Sequence, residues 1–423
     1  MNTIKLIKRF TALLLLAAIS LAVVSCANQG SPAIASVNLM EGISSKLASS
    51  PAAPADESAA KAADFALRLF RASAAGRDGN LLVSPLSVLC ALSMTANGAK
   101  GETLAQMEEV LGMSRDELNE FYRNYTALLP SGEKYRMDKA NSIWFTADER
   151  FSVNGDFLQT NADYYGADIY KAAFDEGTLE DINNWVKDKT RGMIPQILDR
   201  IPDSALMYLI NALAFEAEWE KVYYKESVHP SEFTLEDGNK RSVDFMYSEE
   251  HEYLEGEGFT GFKKYYAGRK YAFAALLPDE GVSVDDLIAS LDAAKLLQAL
   301  AEPEYATVNA SMPRFETSYS AELSELLIGM GMKDAFNSGM ADFSGLGSST
   351  GGNIFISRVI HKTFISVDEL GTKAGAATLV EMNDEALPLD IKDVRLDRPF
   401  VYMLIDCETN LPFFIGTMMD PAK

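Results

Sequence analysis

The chain has 423 residues, of which 48% are hydrophobic, and its formal net charge at pH 7 is −23. That composition supports a large core, and the length alone would permit two domains or more. The acidic charge argues against nucleic acid and against anionic membranes as binding partners, because both carry charge of the same sign.

The first 25 residues have the features of an export signal. A basic start precedes an uncharged apolar run over residues 11–24, which is too short and too close to the N-terminus to favour a permanent membrane helix. Small residues lead up to Cys26, as in the lipobox of bacterial lipoproteins, where the cysteine is lipidated and becomes the mature N-terminus. We therefore predict a lipoprotein signal peptide over residues 1–25 and a lipid anchor on Cys26. The alternative is an ordinary secretory signal that contains a cysteine.

Residues 26–58 are rich in Ala, Ser and Pro. Such a composition buries too little apolar surface to fold, so we predict a flexible tether. The protein would then be exported, and either held at the cell surface by Cys26 or released to the extracellular space. No linker, repeat or low-complexity tract follows residue 60, which predicts one large domain over residues 59–423.

Predicted helices come early in this domain and predicted strands come late. Helical spacing of apolar residues covers residues 59–74, 85–95, 101–111 and 179–198. Runs rich in β-branched and aromatic residues predict strands over residues 208–215, 271–277, 307–313, 358–367, 400–405 and 413–418. This order favours an α+β fold with antiparallel sheets.

The sequence gives no support to metal, phosphate or triad chemistry. The three histidines, His229, His251 and His361, lack metal-ligand spacing, and HExxH and CxxC motifs are absent. There is no GxSxG nucleophile elbow, because the glycine-rich stretch 345–352 is better interpreted as a loop. Cys90 lies in an apolar helical stretch and is expected to be buried, while Cys407 lies beside a turn signal. A disulfide between the two cysteines is conceivable in an exported protein, but no pattern supports it.

The segment that follows the predicted strand 358–367 has an unusual alternation. Side chains in a strand point alternately to opposite faces, so one face of this segment carries no charge through Met382. That face consists of Thr372, Ala374, Ala376, Thr378, Val380 and Met382. The segment could therefore lie in the middle of a sheet, and the alternative is a linker before the final strands.

This segment resembles the hinge and reactive-centre loop of inhibitory serpins: an acid, any residue, Gly, Thr or Ser, any residue, and then mostly Ala. The resemblance extends over residues 60–423 through further motifs, which are NLLVSPLSV at 80–88, INALAFEAEW at 210–219, PRF at 313–315, DRPF at 397–400 and FIGTMMDP at 414–421. It implies the serpin fold: one α+β domain with three mostly antiparallel β-sheets, about nine helices and an exposed reactive-centre loop over about 369–397.

The resemblance also assigns roles to individual residues. A cluster beneath the central sheet, the shutter, would consist of Ser84, Ser87, Asn211 and His361; a buried His needs hydrogen-bond partners, which Ser and Asn can supply. The point of loop insertion at the top of that sheet, the breach, would consist of Trp219, Arg314 and Glu369. The hinge would comprise Glu369, Gly371, Thr372, Lys373, Ala374, Gly375, Ala376 and Ala377. Lys373 stands where inhibitory serpins commonly have Glu, and we expect insertion to tolerate it because it falls on the outer face.

The mechanism that the resemblance implies is the trapping of serine-type proteases in a covalent complex. A protease would cleave the loop and form an acyl-enzyme, and residues 371–385 would insert as a new central strand before the ester is hydrolysed. The chain itself would do no catalysis and need no cofactor. Counting from the hinge glycine places the reactive bond between Glu385 and Ala386, with Met382, Asn383 and Leu387 as alternatives.

Further expectations concern the partners of the protein. A monomer is expected, and a heparin-type activator is not, because residues 116–126 are net acidic where heparin-responsive serpins carry a basic helix.

Two other functions compete with protease inhibition. The main alternative is a non-inhibitory serpin that acts as a binding or structural surface protein. The other is a surface hydrolase of another fold, which has no motif support.

Overall fold

The computed structural model describes residues 36–47, 56–129, 131–202, 205–372 and 390–423. Over these ranges the chain combines helices and mostly antiparallel sheets, so the predicted α+β class is confirmed. None of the helices in these ranges is both long and apolar enough to cross a membrane.

Nine α-helices lie in the described residues, six of them in the first half of the domain. They are α1 (Asp56–Ala74), α2 (Pro85–Ala96), α3 (Gly101–Leu111), α4 (Arg115–Leu128), α5 (Gly155–Tyr164), α6 (Glu176–Lys189), α7 (Val284–Ser290), α8 (Ala293–Ala301) and α9 (Ser324–Met330). Helix α2 is buried along its whole length, with Pro85 in its first turn, where a missing N–H costs nothing. Helix α4 begins at a capping box formed by Ser114 and Glu117.

Seven strands form the sheet that carries the candidate site. They are β1 (Val37–Asn38), β3 (Tyr135–Thr146), β5 (Asp168–Ala172), β6 (Met207–Glu218), β12 (Phe315–Glu322), β14 (Arg358–Val367) and β15 (Gly371–Thr372). Their spatial order is β1-β5-β3-β6-β15-β14-β12. Strands β3 and β5 pair in parallel, as do β6 and β14, and the other pairs are antiparallel.

A nine-stranded sheet and a two-stranded sheet complete the described β-structure. The larger one contains β2 (Leu81–Val83), β7 (Val228–Thr234), β8 (Lys240–Gly256), β9 (Phe259–Tyr265), β10 (Tyr271–Pro278), β11 (Glu304–Pro313), β16 (Ile391–Arg395), β17 (Phe400–Asp406) and β18 (Pro412–Met418). The smaller one pairs β4 (Phe151–Val153) with β13 (Gly347–Ser349). Strands β10, β17 and β18 are fully buried, and they join the main hydrophobic core that also holds α2.

The helix predicted over residues 179–198 is too long. Helix α6 ends at Lys189, and Arg191 and Gly192 then adopt left-handed φ angles of 51° and 82°. The following segment folds back onto the helix, because the Asn183 carboxamide oxygen accepts the backbone N–H groups of Ile197 and Leu198 at 2.8 and 3.0 Å. The apolar periodicity after 189 therefore reflects a buried irregular segment.

Part of the predicted flexible tether is ordered against the domain. Strand β1 pairs with β5, and the side chains of Leu39, Met40 and Ile43 pack against the core. The Ser36 hydroxyl donates to the Asp181 carboxylate at 2.7 Å. The prediction of a flexible tether was therefore wrong for residues 36–47, because a few apolar side chains and one edge strand suffice to dock an Ala- and Ser-rich segment.

The prediction of an exposed loop over residues 369–397 was wrong at both ends. Gly371 and Thr372 are buried in the seven-stranded sheet, and residues Ile391–Arg395 form a strand paired in parallel with β11. Residues 373–389 lie outside the described residues.

Candidate functional site

The candidate site lies where β6 and β14 separate. Over its first six residues β14 pairs directly with β6, from Arg358 opposite Tyr208 to Thr363 opposite Leu213. Further along, β15 lies between the two strands, antiparallel to both: Thr372 is opposite Ala217 on one side and Val367 on the other. The sheet is therefore closed along the first six residues of β14, and β15 already separates β14 from β6 near the end of β14.

A tight turn connects β14 to β15, and the Asp368 side chain stabilises it. The Asp368 carboxylate accepts the backbone N–H groups of Leu370 and Gly371 at 2.8 and 3.2 Å. The Asp368 backbone N–H donates to the Gly371 carbonyl at 3.0 Å. Such side-chain-to-backbone bonds are the usual reason for Asp in turns. The turn reverses the chain immediately after β14 and directs it into the gap.

Gly371 occupies a position where no side chain fits. A Cβ atom there would lie 2.0 Å from the Ala217 carbonyl oxygen and 2.9 Å from the Glu218 Cα. Both are backbone atoms of β6, so neither can move without disturbing the sheet. The predicted hinge glycine is thus required by the close approach of β15 to β6.

Trp219 connects the hinge to the rest of the domain. Its indole N–H donates to the Asp368 carbonyl at 2.8 Å, and its backbone N–H donates to the Leu370 carbonyl at 2.9 Å. The ring stacks on Tyr266 with a centroid distance of 4.4 Å and an interplanar angle of 9°. The Tyr266 hydroxyl in turn lies 2.5 Å from the Thr372 hydroxyl. The buried Thr372 side chain is therefore held by a hydrogen bond on the core face of the sheet.

Two of the predicted breach residues, Arg314 and Glu369, form an ion pair that contributes little to stability. Arg314 Nη1 lies 3.7 Å from Glu369 Oε2, and the two side chains are 51% and 35% exposed. Pairs at this exposure typically contribute ~0.2–1 kcal/mol. The Glu369 carbonyl also accepts the Tyr223 backbone N–H at 3.0 Å. Backbone bonds from Trp219 and Tyr223 therefore hold the turn more firmly than the ion pair does.

The four predicted shutter residues come together beneath the paired part of β6 and β14. The Ser84 backbone N–H donates to His361 Nε2 at 3.1 Å. The Ser87 hydroxyl donates to the Asn211 carboxamide oxygen, and Asn211 Nδ2 donates back to the Ser87 carbonyl at 2.6 Å. Asn211 Nδ2 also donates to the side-chain oxygen of Asn141 on β3. These bonds connect α2 to the centre of the sheet.

His361 is fully buried and uncharged. Burial lowers its pKa to about 3, because the charged imidazolium is poorly solvated there. Since Nε2 accepts a hydrogen bond, the proton of the neutral ring lies on Nδ1. Within the described part of the chain, Nδ1 has no hydrogen-bond partner, and neither does the Ser84 hydroxyl. The shutter therefore has spare hydrogen-bonding capacity beneath the line where β6 meets β14.

Several predicted residues lie outside the described residues. They are Cys26; the hinge positions Lys373, Ala374, Gly375, Ala376 and Ala377; and the candidate reactive-bond positions Met382, Asn383, Glu385, Ala386 and Leu387. Cys90 is buried, as expected, and both Cys90 and Cys407 are free thiols. The described ranges contain no group of His, Cys, Asp and Glu side chains that could hold a metal ion.

Sequence reasoning missed four residues of the site: Asn141, Tyr223, Tyr266 and Asp368. The local sequence could have predicted Asp368, because Asp before a Gly-containing chain reversal is typical of turns. It could not have predicted Asn141, Tyr223 and Tyr266, because each reaches the site through tertiary packing and resembles an ordinary strand or loop residue.

A family model, relatives in sequence and solved structures all point to the same family. The family model "Serpin (serine protease inhibitor)" matches residues 60–421. The leukocyte elastase inhibitor of Equus caballus is 29% identical over 376 residues, which covers 84% of this chain and 97% of the horse protein.

Among solved structures, tengpin, a thermophilic serpin, is similar in its native state with a TM-score of 0.87 and 48% identity, covering 91% of this chain and 99% of tengpin. In its latent state tengpin gives a TM-score of 0.78 with 47% identity, covering 88% and 100% of the two chains. The predicted serpin fold is confirmed, and with it the prediction that the chain is not an enzyme, since serpins are protease inhibitors. The chain belongs to the serpin family.

Proposed function

We propose that the protein inhibits serine-type proteases as a suicide substrate: loop cleavage, a covalent acyl-enzyme, and insertion of residues 371–385 as a new central strand. The observation that carries the proposal is β15, which already pairs with β6 through Gly371 and Thr372 and with β14 through Thr372, in the antiparallel sense that a fully inserted strand would need. Insertion is then the extension of an existing ladder, without a new nucleation step.

The pairing of Thr372 with Ala217 and Val367 fixes the register of an inserted strand, and hence the residues of β6 and β14 that each later loop residue would face. Each step along the loop moves one residue back along both β6 and β14, so position 378 would stand opposite Asn211 and His361. Positions with the parity of Thr372 face the core, so the Thr378 hydroxyl would reach the shutter and could accept the unpaired Nδ1–H of His361. The alternation of small and polar residues in the loop thus fits the buried groups that it would meet.

The same register accounts for the unusual Lys373. It would stand between Glu216 and Ser366, on the face of the sheet opposite to Thr372, where Glu216 is partly exposed. Glu381 would stand beside Arg358 on that face. Lys373 and Glu381 would therefore each meet an opposite charge in the inserted strand, which supports tolerance of Lys373.

Insertion exchanges hydrogen bonds favourably. It would break the six parallel residue pairs between β6 and β14 and replace them with two antiparallel ladders, one on each side of the new strand. Antiparallel pairs are slightly more stable per residue than parallel ones, and two ladders replace one. Fifteen residues at ~3.3 Å each would carry a tethered protease ~50 Å along the sheet.

Two finer proposals concern the reactive bond and the anchor. Glu385 and Ala386 would flank the cleaved bond, which suits a protease with a basic specificity pocket. The protein would be an exported lipoprotein held at a cell surface by Cys26, since one lipidated cysteine with several acyl chains anchors stably where a single chain does not.

Incubation with a panel of serine proteases tests the inhibitory mechanism. We expect loss of activity of at least one protease, at a defined stoichiometry, with a complex that survives denaturing electrophoresis. A non-inhibitory serpin, the alternative, would be cleaved in the loop by every protease and leave each one active. A C-terminal fragment that begins elsewhere than at Ala386 would refute our choice of bond but not the mechanism.

A further inference from the structure

A cavity of about 790 Å³ opens beside the breach. Most of its walls come from four segments: residues Glu218–Tyr224 at and after the end of β6, the middle of β8, the end of β9 with the following turn, and the middle of β11. Lys134, Ser227 and Arg395, the last residue of β16, complete the lining. The volume is within the range that holds a small organic molecule. The loop-insertion mechanism uses the breach backbone and assigns no role to this space.

The walls combine aromatic rings with ion pairs that neutralise one another. Trp219, Tyr223, Tyr224 and Tyr247 supply the aromatic surface. Three of the four lining glutamates already have a cation within 3.0 Å: Glu218 with Lys134, Glu220 with Arg269, and Glu250 with the buried Lys264. These pairs leave the aromatic wall without net charge.

The remaining charges of the lining favour an anion. Lys221 and Arg395 are both exposed, and no carboxylate of the described residues lies within 4 Å of either. Glu249 is the only lining acid in the described chain without such a cation. The cavity therefore has a net positive charge on a protein whose formal net charge is −23. That contrast in sign distinguishes it from an ordinary surface depression of this acidic domain.

We infer that this cavity binds a small amphipathic anion: a flat apolar body against Tyr223 and Tyr247, with one carboxylate or sulfonate held by Lys221 and Arg395. An aromatic wall with a few charged groups at one end is the usual composition of such sites. A guanidinium and an ammonium together can bind one anionic group by charge-assisted hydrogen bonds.

Ligand binding would affect the hinge, because the same residues line the cavity and hold the turn before β15. Trp219 and Tyr223 both line the cavity, and their backbone N–H groups hold Leu370 and Glu369. A ligand that joins residues 219–224 to β8 and β11 would restrain the end of β6, from which the sheet opens. We therefore expect the ligand to slow loop insertion, a consequence that rests on the proposed function, whereas binding itself does not.

Titration of the intact protein with 8-anilinonaphthalene-1-sulfonate, an aromatic sulfonate that fluoresces in apolar sites, tests the binding. We expect one saturable site. Replacing both cations, Lys221→Ser with Arg395→Ser, should weaken it at least about tenfold, the effect of losing one charge-assisted hydrogen bond. Ser248→Trp, which places a large side chain at a lining position and leaves the charge unchanged, should weaken probe binding by at least as much.

The matched control removes two exposed cations that do not line the cavity, Lys187→Ser with Lys333→Ser. It changes the net charge equally and should leave the affinity unchanged. Equal affinity in all variants, or an equal loss in the control, would overturn the inference, since binding would then be non-specific.

Protease trapping in the presence of the same probe separates the two claims. Saturating probe should raise the number of inhibitor molecules consumed per protease for the natural chain and not for the Lys221→Ser, Arg395→Ser variant. If probe binds at the cavity but trapping is unchanged, the coupling to the hinge is wrong. If no complex forms even without probe, the proposed inhibitory function fails while the binding site stands.

Discussion

Replacing Gly371 by alanine should shift the protein from inhibitor towards substrate. The new Cβ would lie 2.0 Å from the Ala217 carbonyl oxygen, whereas real contacts of this kind are above 3.0 Å. Either β15 leaves the gap between β6 and β14, or β6 shifts along its backbone. Both changes raise the free energy of the first step of insertion and leave the cleavage site far from the substitution.

The size of the effect follows from the cost of overpacking. An extra methyl group in a tightly packed site typically costs ~1–3 kcal/mol. A cost of about 2 kcal/mol in the insertion step slows it about 30-fold relative to hydrolysis of the acyl-enzyme. An inhibitor that traps about thirty protease molecules for each one it releases would then release about half of them as active enzyme after cleavage.

The assay is the stoichiometry of inhibition against a protease of known active concentration, with the products separated on a denaturing gel. Gly329→Ala is the matched control, because a Cβ on Gly329 would have nothing within 4 Å. We expect Gly329→Ala to behave as the natural chain. If Gly371→Ala inhibits with unchanged stoichiometry, then β15 is not the start of the inserting strand and our reasoning is wrong.

Four further outcomes are expected. Thr372→Arg should form cleaved product without complex on a denaturing gel, because a guanidinium would be buried in place of a side chain that is 1% exposed. Cleavage within residues 379–387 should raise the melting temperature, since the sheet gains a strand; an unchanged or lower value would count against insertion. The free energy of unfolding should fall as the pH is lowered from 6.5 towards 3, by up to ~1.4 kcal/mol per pH unit, because unfolded His361 binds a proton that the folded residue, with a pKa of about 3, does not. His361→Gln should reduce that slope in urea titrations at pH 7 and pH 5, and an identical slope would contradict the assignment. Cys26→Ser should leave the protein in the soluble fraction, and its recovery on membranes through the N-terminus would exclude the lipid anchor.

Sequence patterns were most informative where local chemistry dictates structure. Strand Arg358–Val367 has the predicted bounds, because an alternating β-branched run needs no tertiary context to be recognised. The hinge glycine and the four shutter residues were identified by resemblance; the structure pairs Gly371 with β6 and connects the shutter residues by hydrogen bonds.

Features that depend on tertiary packing were not predictable in the same way. The insertion of Gly371 and Thr372 depends on how far β6 lies from β14, which the sequence of neither strand reveals. Tyr266 reaches Thr372 from the turn between β9 and β10. The docking of residues 36–47 depends on an edge strand, β5, whose free backbone groups accept any extended neighbour. In each case the deciding contact is made between residues far apart in the chain.

The intact mass of the product formed with a target protease tests the central claim most directly. We predict, under denaturing conditions, one species whose mass is that of the protease plus this chain truncated at the cleaved residue, minus one water for the ester bond. The C-terminal fragment should be released as a separate species. Recovery of the unmodified protease together with both fragments of the cleaved chain, for every protease that cuts the loop, would contradict trapping and favour a non-inhibitory member of the family.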